Sequence, residues 1–259
     1  MQAFPKGNPV HVTSMLASRS LTDKTSQTGS TTPQKARTTY DFGSIADKYD
    51  AWYWQPVGRV YDVLEKNAVS KVLPDPAQGD RLLEVGCGTG HWSAFFAERG
   101  FRVTGLDISH RMIEAARGKA IRNAVFRQAD AAAIPFPSGA FDVAAAITLL
   151  EFVPDPREVL DEMARCVRGG GCIVVGVLNR WSYQGIVRKI RQAPLFRSAK
   201  FFSVRSLRRL LSEYGRAQVR SAACFLPRRW ALGAAPALDR AASAIGLPFG
   251  DFLAGRVQL

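Results

Sequence analysis

The chain has 259 residues, of which 47% are apolar and 22% charged, and it carries a formal net charge of +13. This composition is that of a folded protein, which excludes wholesale disorder and collagen-like repeats. The four cysteines include no C-x-x-C pair and there are only three histidines. A disulfide scaffold or a His/Cys zinc site is therefore not predicted, and no metal is expected. The longest apolar runs are shorter than the ~18 residues that a membrane-spanning helix needs.

The positive charge is concentrated in one part of the chain. Residues 180–230 contain 13 basic residues and 1 acidic residue, whereas residues 41–179 contain 15 basic and 18 acidic residues. Because the larger part is slightly acidic, the net charge does not by itself indicate a nucleic-acid-binding protein. Apolar and basic residues are interleaved through 180–203, which suits a surface that contacts an anionic membrane. Nucleic-acid binding uses similar alternation, but no RNA-binding module is visible.

The first 38 residues are predicted to form a disordered tail. They are rich in Ser and Thr, contain three prolines and show no hydrophobic periodicity, so they cannot bury enough apolar area to become ordered. An organellar transit peptide and a translation start at Met15 remain alternatives for this segment. No secretory signal is predicted. Residues 39–259 are expected to form one domain, located in the cytoplasm, with peripheral contact to an anionic membrane through residues 180–230.

Strands and helices alternate from residue 81 onward. Apolar runs predict strands at 81–85, 102–106, 124–128, 141–147 and 172–178. Amphipathic segments predict helices at 91–99, 110–119, 156–167 and 204–214. This alternation predicts an α/β fold with right-handed βαβ units and a parallel sheet covered by helices on both faces. In such folds, ligands bind beyond the carboxyl ends of the strands.

A glycine-rich turn follows the first predicted strand. It contains Gly86, Gly88 and Gly90 directly after Glu84, and its glycines allow a sharp turn and close approach of the backbone to a ligand. His91 stands where the dinucleotide-binding pattern requires another glycine, and the Gly-Lys-Ser/Thr of a P-loop is missing. A nicotinamide-dependent oxidoreductase is therefore disfavoured. The turn also does not suit a pyrophosphate, which the Glu84 carboxylate would repel.

Acidic residues recur along the predicted sheet edge. Glu84, Asp107 and Asp130 are each separated by 23 residues, and the last two follow successive strands. A carboxylate after the second strand suits the two hydroxyls of a ribose. A carboxylate after the third strand can accept a hydrogen bond from an exocyclic amine, and one near the first turn suits a cationic amino group. Ribose, adenine and an ammonium group without phosphates describe S-adenosylmethionine (SAM).

At these residues the sequence resembles the class I SAM-dependent methyltransferases. The resemblance is closest to the small-molecule group (methyltransferase type 11) that includes the ubiquinone and menaquinone biosynthesis enzymes. The matching stretches, in the family's order, are residues 83–90, 103–116, 128–143, 149–156 and 159–171, and residues 42–52 resemble the segment that closes over the cofactor. One departure is Arg168, which stands where the family usually has a proline before its glycines.

The resemblance implies a Rossmann-like sheet of seven strands, mostly parallel and with the last strand antiparallel. Its sixth and seventh strands would lie at 216–224 and 251–257. The resemblance also implies roles in cofactor binding, with the loop glycines under the methionine part, Glu84 near its amino group and Asp107 on the ribose. The implied cofactor-binding residues are Tyr49, Glu84, Gly86, Gly88, Gly90, Asp107, Ile108, Asp130, Ala131 and Leu149.

Several of these residues also have a purely structural interpretation. Tyr49 can serve the core, and Asp130 can serve a turn. Cys87 is interpreted as a small filler of the tight loop rather than a nucleophile. His91 and His110 each follow a cofactor motif, either as general bases or as surface and capping residues.

These features predict an enzyme that transfers a methyl group from SAM to a small-molecule acceptor, hydrophobic or anionic. Insertions at about 180–203 and 225–250 would receive this acceptor. Glu151, just past the fourth strand, is the candidate for an acid/base role, which is needed only when the acceptor must lose a proton. An RNA methyltransferase, supported only by charge, and a SAM-binding protein without activity remain alternatives.

Overall fold

A computed structural model describes residues 42–191, 196–225 and 227–259, so the predicted tail lies outside the described residues. The strands are β1 (Arg81–Val85), β2 (Arg102–Asp107), β3 (Ala124–Gln128), β4 (Phe141–Ile147), β5 (Val167–Leu178), β6 (Arg216–Ala222) and β7 (Phe252–Gln258). The helices are α1 (Ala46–Tyr49), α2 (Ala51–Trp54), α3 (Pro56–Ser70), α4 (His91–Glu98), α5 (His110–Gly118), α6 (Pro156–Cys166), α7 (Tyr183–Arg191), α8 (Val204–Leu211) and α9 (Ala235–Ala244). Two 3-10 turns cover Phe42–Ile45 and Arg229–Ala234.

The strands form one seven-stranded sheet in the order β3-β2-β1-β4-β5-β7-β6. The pairs from β3 to β5 are parallel, whereas β7 runs antiparallel to both β5 and β6. The predicted fold class, a Rossmann-like and mostly parallel sheet whose last strand is antiparallel, is therefore confirmed. This topology places the ends of β1, β2 and β3 side by side at one edge of the sheet, where their loops can share a ligand.

Some boundaries differ from those predicted. Strand β5 begins at Val167, because this residue pairs with Phe141 before the register shifts and the glycine-rich stretch is drawn into the strand. Helix α8 ends at Leu211, because the chain turns at Ser212. The sequence did not predict helices α3, α7 and α9 as defined elements, and these are the helices that surround the carboxyl edge near β6 and β7.

The two faces of the sheet bury separate cores. Successive residues of a strand point to opposite faces, so Leu82 belongs to the cluster that α3 and α4 cover, and Leu83 to the cluster that α6 and α8 cover. Strand β4 is buried on both faces, which explains its unbroken apolar sequence. No helix within the described ranges is long and apolar enough to cross a membrane.

Candidate cofactor and acceptor site

The glycine-rich loop leaves β1 in a conformation that favours glycine. Gly86, Gly88 and Gly90 have φ angles of 74°, 52° and 79°, a region that residues with a Cβ rarely adopt. A Cβ on Gly86 would lie 2.8 Å from Leu149 Cδ1, whereas a Cβ on Gly88 would meet no atom within 4 Å. The loop is therefore closed on the side of Leu149 and open at Gly88, and this open backbone can lie directly beneath a ligand.

Asp107 ends β2 directly beside this loop. Its Oδ2 accepts a hydrogen bond of 2.9 Å from the Gly88 amide, and its Oδ1 accepts one of 2.9 Å from the Ser109 amide. Burial raises the pKa of Asp107, although these amide hydrogen bonds lower it. The carboxyl group is held in place by backbone groups while it stays partly exposed. It is thus preorganised to accept hydrogen bonds from two neighbouring hydroxyl groups.

The structure brings the second predicted pair of residues next to Asp107. Strands β2 and β3 are paired so that Asp107 lies opposite Gln128, and the amide of Ala129 donates to the Asp107 carbonyl at 3.0 Å. Asp130 and Ala131 therefore follow on the strand adjacent to Asp107 and Ile108. The Asp130 Oδ1 accepts a 3.0 Å hydrogen bond from the Ala132 amide. These four residues together form one strip at the carboxyl ends of β2 and β3, where the nucleoside is predicted to bind.

Glu84 lies behind the glycine-rich loop rather than open to a ligand. Its side chain is 2% exposed and accepts a hydrogen bond from the Ser93 hydroxyl of α4. Burial raises the pKa of Glu84 to about 8, the Ser93 hydrogen bond lowers it, and the nearby Asp107 charge raises it further. At neutral pH the carboxyl group is thus mostly protonated until a cation reaches it.

The raised pKa of Glu84 predicts how the protein's stability depends on pH. A carboxyl group that holds its proton more tightly when folded makes stability fall as pH rises from the unfolded pKa to the folded pKa. Between about pH 4.5 and 8, Glu84 is expected to lower the free energy of unfolding by up to about 1.4 kcal/mol per pH unit.

The free energy of unfolding of the Glu84→Gln variant is measured by urea unfolding at several pH values. The variant should show a smaller decline of unfolding free energy than the wild type across this window. Glu98→Gln, an exposed carboxyl on α4, serves as the control and should follow the wild type. Parallel curves for the Glu84 variant and the wild type would contradict the assignment.

Leu149 is held over the loop by an unusual backbone. The preceding residue, Thr148, has a φ angle of 50°, which is uncommon for a side chain branched at Cβ. The Thr148 amide donates to the Gly176 carbonyl at 2.7 Å, which fixes this conformation. The strained turn directs the Leu149 side chain onto Gly86. Strain of this kind is often found at functional sites.

Residues 42–55, here called the cover, lie across the carboxyl edge of β1 and β2. Asp47 pairs with Arg111 at 2.7 Å, and Asp50 Oδ1 accepts a 2.6 Å hydrogen bond from the Thr89 hydroxyl of the glycine-rich loop. Lys119 binds both Asp50 and Thr89. The cover is therefore fastened directly to the loop that it closes.

Tyr49 reaches the cofactor side from the cover. Burial and the charge of Asp107 raise the pKa of Tyr49 to about 12, so the Asp107 carboxylate is near enough to act on its phenol. Next to it, Tyr53 stacks on His91 with 3.6 Å between ring centroids. His91 Nε2 lies 2.6 Å from Asp62 Oδ1. His91 thus links α4 to α3 and the cover, and it has a partner other than a substrate.

The other two nucleophile and base candidates take structural positions. Cys87 is buried in a small cluster with Ile113, Ala116 and Phe126, and burial raises the pKa of its thiol. His110 begins α5 at the surface, 3.2 Å from Glu114 on the same helix. Neither residue is positioned as a reacting group.

Glu151 is fully buried just past β4. Its Oε1 accepts a hydrogen bond from the Leu178 amide, while its Oε2 has no hydrogen-bond partner among the described residues. Burial raises the pKa of Glu151 to about 7, although the Leu178 amide and the charge of Arg188 lower it. A carboxyl oxygen that is buried and unpaired is costly unless a ligand satisfies it.

Helix α3 contributes site residues that the sequence reading missed. Tyr61 is buried on α3 and Glu65, one helical turn further on, is half-buried. The charges of Asp251, Arg188 and Glu151 act on Glu65. Burial raises the pKa of Glu65 to about 8. The sequence feature that could have identified Glu65 is its position on the apolar face of an amphipathic helix, where a charged residue is unusual.

A cavity of about 490 Å³ opens beside these groups. Tyr61, Ser182 and Asp251 line it together with apolar side chains from the segments after β5 and β6. The apolar part of the lining is Ala223, Phe225, Leu238, Ala242, Ile245, Leu247 and Phe249. No group of three or more His, Cys, Asp or Glu residues within the described ranges could hold a metal ion.

Comparisons with known proteins identify the family of this chain. Residues 59–220 match the methyltransferase domain family. The phosphatidylethanolamine N-methyltransferase of Cereibacter sphaeroides is 34% identical over 142 residues, which cover 52% of this chain and 68% of that protein. The ubiquinone biosynthesis O-methyltransferase of Idiomarina loihiensis is 32% identical over 149 residues, which cover 54% of this chain and 59% of that protein.

A solved structure of a SAM-dependent methyltransferase from Thermotoga maritima has the same fold. It superposes with a TM-score of 0.64 at 24% identity and covers 84% of this chain and 97% of that one. The fold and the family match together define a class I SAM-dependent methyltransferase. This chain belongs to the methyltransferase domain family, and its cofactor is SAM.

Proposed function

We propose that the chain methylates a small molecule with a substantial apolar part, which binds in the 490 Å³ cavity. The observation that supports this acceptor class is the lining of the cavity, where apolar side chains surround a few polar groups at one end. The relatives do not fix the acceptor, because one is named for N-methylation of a phospholipid and another for O-methylation in ubiquinone biosynthesis.

Different residues would serve cofactor binding and acceptor alignment in this reaction. Asp107, the glycine-rich loop and the strip at Asp130 would hold SAM, with Tyr49 above it. Glu84 would lie behind the loop on the side of the SAM amino group, without touching it. SAM supplies a methyl group already activated by its sulfonium. The protein therefore has mainly to align the acceptor and exclude water. Leu149 and the cover provide the apolar enclosure for that alignment.

Glu151 is the proposed acid/base residue. Its Oε2 is buried and has no hydrogen-bond partner among the described residues, and its pKa of about 7 is suited to accept a proton at neutral pH. Glu151→Gln should lower the rate constant for methyl transfer while the Kd for SAM stays unchanged, since Glu151 is not among the proposed cofactor-binding residues.

The experiment for the proposed function uses SAM with a labelled methyl group and a cell extract depleted of macromolecules. Label transferred to a molecule that partitions into organic solvent supports the proposal. Transfer into RNA or protein from an undepleted extract would contradict it, and so would SAM binding without any turnover. Calorimetry with SAM and with NADPH, run first, establishes which cofactor the preparation binds.

We further propose that the surface around α7 contacts an anionic membrane. Trp181, Ile186 and Ile190 are exposed there beside Lys189 and other basic residues. An adjoining groove of about 720 Å³ is lined by Trp181, Phe249 and three arginines. The arginines are Arg205, Arg208 and Arg209. Exposed apolar side chains combined with cations are typical of interfacial helices.

Co-sedimentation with vesicles tests this contact. The protein should bind vesicles that contain anionic phospholipid and not vesicles of phosphatidylcholine alone. The Ile186→Glu, Ile190→Glu double variant should lose this binding. Val63→Glu, at an exposed apolar residue on α3, serves as the matched control. Binding that is independent of anionic lipid would disprove the proposal.

A further inference from the structure

Helix α8 lines one side of a groove with three arginines. Arg205, Arg208 and Arg209 follow the exposed side of the helix, while its leucines are buried in the sheet core. All three arginines line the groove of about 720 Å³, here called the arginine groove. At a spacing of three and four residues they are neighbours on one helix face, so this wall of the groove is strongly basic.

These arginines have no anionic partner in the part of the chain that the structure describes. None of the three side chains forms an ion pair or a hydrogen bond with another described residue. The acids nearest in sequence to the groove lining are Glu213 and Asp251, which pair with Arg157 and Arg188 instead. Like charges on one helix face repel each other, and Arg205 lies in the first turn, where the helix dipole disfavours a cation. A bound anion would remove this repulsion.

The arginine groove also contains exposed aromatic surface. Trp181 is 59% exposed and Phe249 is 56% exposed, and both line the groove together with the arginines. A small anion alone could pair with the guanidinium groups, but it would leave these two rings in contact with water. The groove therefore suits a ligand that combines an anionic group with apolar atoms.

The arginine groove adjoins the cavity of about 490 Å³, here called the acceptor cavity. Phe249 lines both spaces, while Leu247 lines the cavity and Pro248 lines the groove. The same change of side occurs between Trp181 in the groove and Ser182 in the cavity. Because consecutive Cα atoms are about 3.8 Å apart, the two spaces are neighbours along both stretches. A ligand that passes over the exposed Phe249 ring can occupy both.

The acceptor cavity has an independent sign of a ligand. Tyr61 is 3% exposed and lines this cavity, and its hydroxyl has no hydrogen-bond partner among the described residues. Burial raises the pKa of Tyr61, and the nearby Gln184 side chain lowers it only in part, so the phenol keeps its proton. A buried hydroxyl without a partner is unfavourable unless a ligand satisfies it.

We propose that the methyl acceptor is an anionic amphiphile, whose charged group binds Arg205, Arg208 and Arg209 while its apolar part crosses Phe249 into the acceptor cavity. This inference rests on the proposed function and narrows its acceptor class. Phosphate and carboxylate groups both match the planar guanidinium with two parallel hydrogen bonds. The membrane contact proposed above depends on the exposed isoleucines of α7, which line neither space.

The test uses three probes that represent the whole ligand and its two parts: octyl phosphate, 1-octanol and inorganic phosphate. Calorimetry measures their binding to the protein loaded with S-adenosylhomocysteine, the demethylated cofactor, at neutral pH. Octyl phosphate is kept below the concentration at which it forms micelles, so a single molecule and not a lipid surface is the ligand. It should bind at least about tenfold more tightly than either other probe, because only octyl phosphate can fill both spaces.

Two variants then assign each part of octyl phosphate to one space. The Arg205→Gln, Arg209→Gln double variant should weaken binding of octyl phosphate and inorganic phosphate about tenfold and change octanol binding less than about twofold. Ala241→Trp, at an exposed residue of α9 that lines the acceptor cavity, should weaken binding of octyl phosphate and octanol about tenfold. It should leave the binding of inorganic phosphate unchanged.

Each variant has a matched control. Arg122→Gln removes an exposed arginine that lines neither space. Ala244→Trp adds a tryptophan at an exposed position of α9 outside the cavity lining. Both controls should bind all three probes like the wild type. All of these variants should keep the wild-type Kd for S-adenosylhomocysteine, because none of the changed residues belongs to the proposed cofactor site.

The outcomes separate this inference from the proposed function. The inference is overturned if wild-type protein binds octyl phosphate no more tightly than octanol, or does not bind it at all. It is also overturned if either test variant binds octyl phosphate with the wild-type Kd. If S-adenosylhomocysteine itself does not bind, the proposed function fails. If the cofactor binds and label enters an apolar molecule without an anionic group, only the inference of an anionic amphiphile fails.

Discussion

Asp107→Ala is expected to weaken SAM binding at least about 100-fold, because it removes the carboxylate that would accept from both ribose hydroxyls. A hydrogen bond to a charged group contributes about 1.5–3 kcal/mol. Two such bonds account for a loss of this size. The substitution also frees the amides of Gly88 and Ser109, which Asp107 now holds at 2.9 Å each.

Calorimetry with SAM measures this effect, and two further variants support its interpretation. Asp107→Asn keeps the size of the side chain and should lose less affinity than the alanine variant. Glu98→Ala, which removes an exposed acid, should bind SAM as the wild type does. If Asp107→Ala binds SAM with the wild-type Kd while its thermal stability is unchanged, the assignment of the ribose site is wrong.

The second large effect is expected from Asp251→Ala. This change leaves the Arg188 guanidinium, whose side chain is only 18% exposed, without its bidentate partner. Breaking a buried ion pair from one side costs about 3–5 kcal/mol of unfolding free energy. The cost should lie near the lower limit, since Glu65 is close enough to act on Arg188 and can ionise to take over part of the pairing.

Urea unfolding of a small set of variants checks this argument. Adding Glu65→Gln to Asp251→Ala should destabilise the protein further, because it removes the substitute partner. The Arg188→Met, Asp251→Leu double variant should recover most of the lost stability, since no charge is then left unpaired. A double variant that is no more stable than Asp251→Ala would show that the ion pair is not the cause.

The sheet could be predicted from the sequence because its strands are short apolar runs bounded by glycine and by acids. Strands β1, β3 and β4 lie where the sequence places them. The strip formed by Asp107 and Asp130 follows from the same logic, since residues at successive strand ends must become neighbours. At these strands, the local sequence pattern is sufficient to predict both the strand and its neighbours in the sheet.

The acceptor side could not be predicted in the same way. Gly185 and Arg188 lie on the inner face of helix α7. Arg188 pairs with Asp251, which is 63 residues away in the sequence, so its role could not be recognised from the helix alone. Glu65 is also distant in sequence from Glu151. Such contacts depend on how helices pack against the sheet edge. They cannot be predicted from the hydrophobic periodicity of a single segment.

The hydrogen bond between Asp50 and Thr89 has a kinetic consequence. It joins the cover to the glycine-rich loop, so the cover can lift from this loop only when this bond and the Lys119 contacts break. At the proposed cofactor site, exchange of the nucleoside would depend on that opening. The acceptor cavity is walled instead by the segments after β5 and β6, at Leu238 and Leu247 among others. The cover encloses the proposed cofactor site, whereas the segments after β5 and β6 enclose the proposed acceptor site. One ligand could therefore leave while the other stays bound. The spent cofactor and the methylated product can therefore dissociate at independent rates.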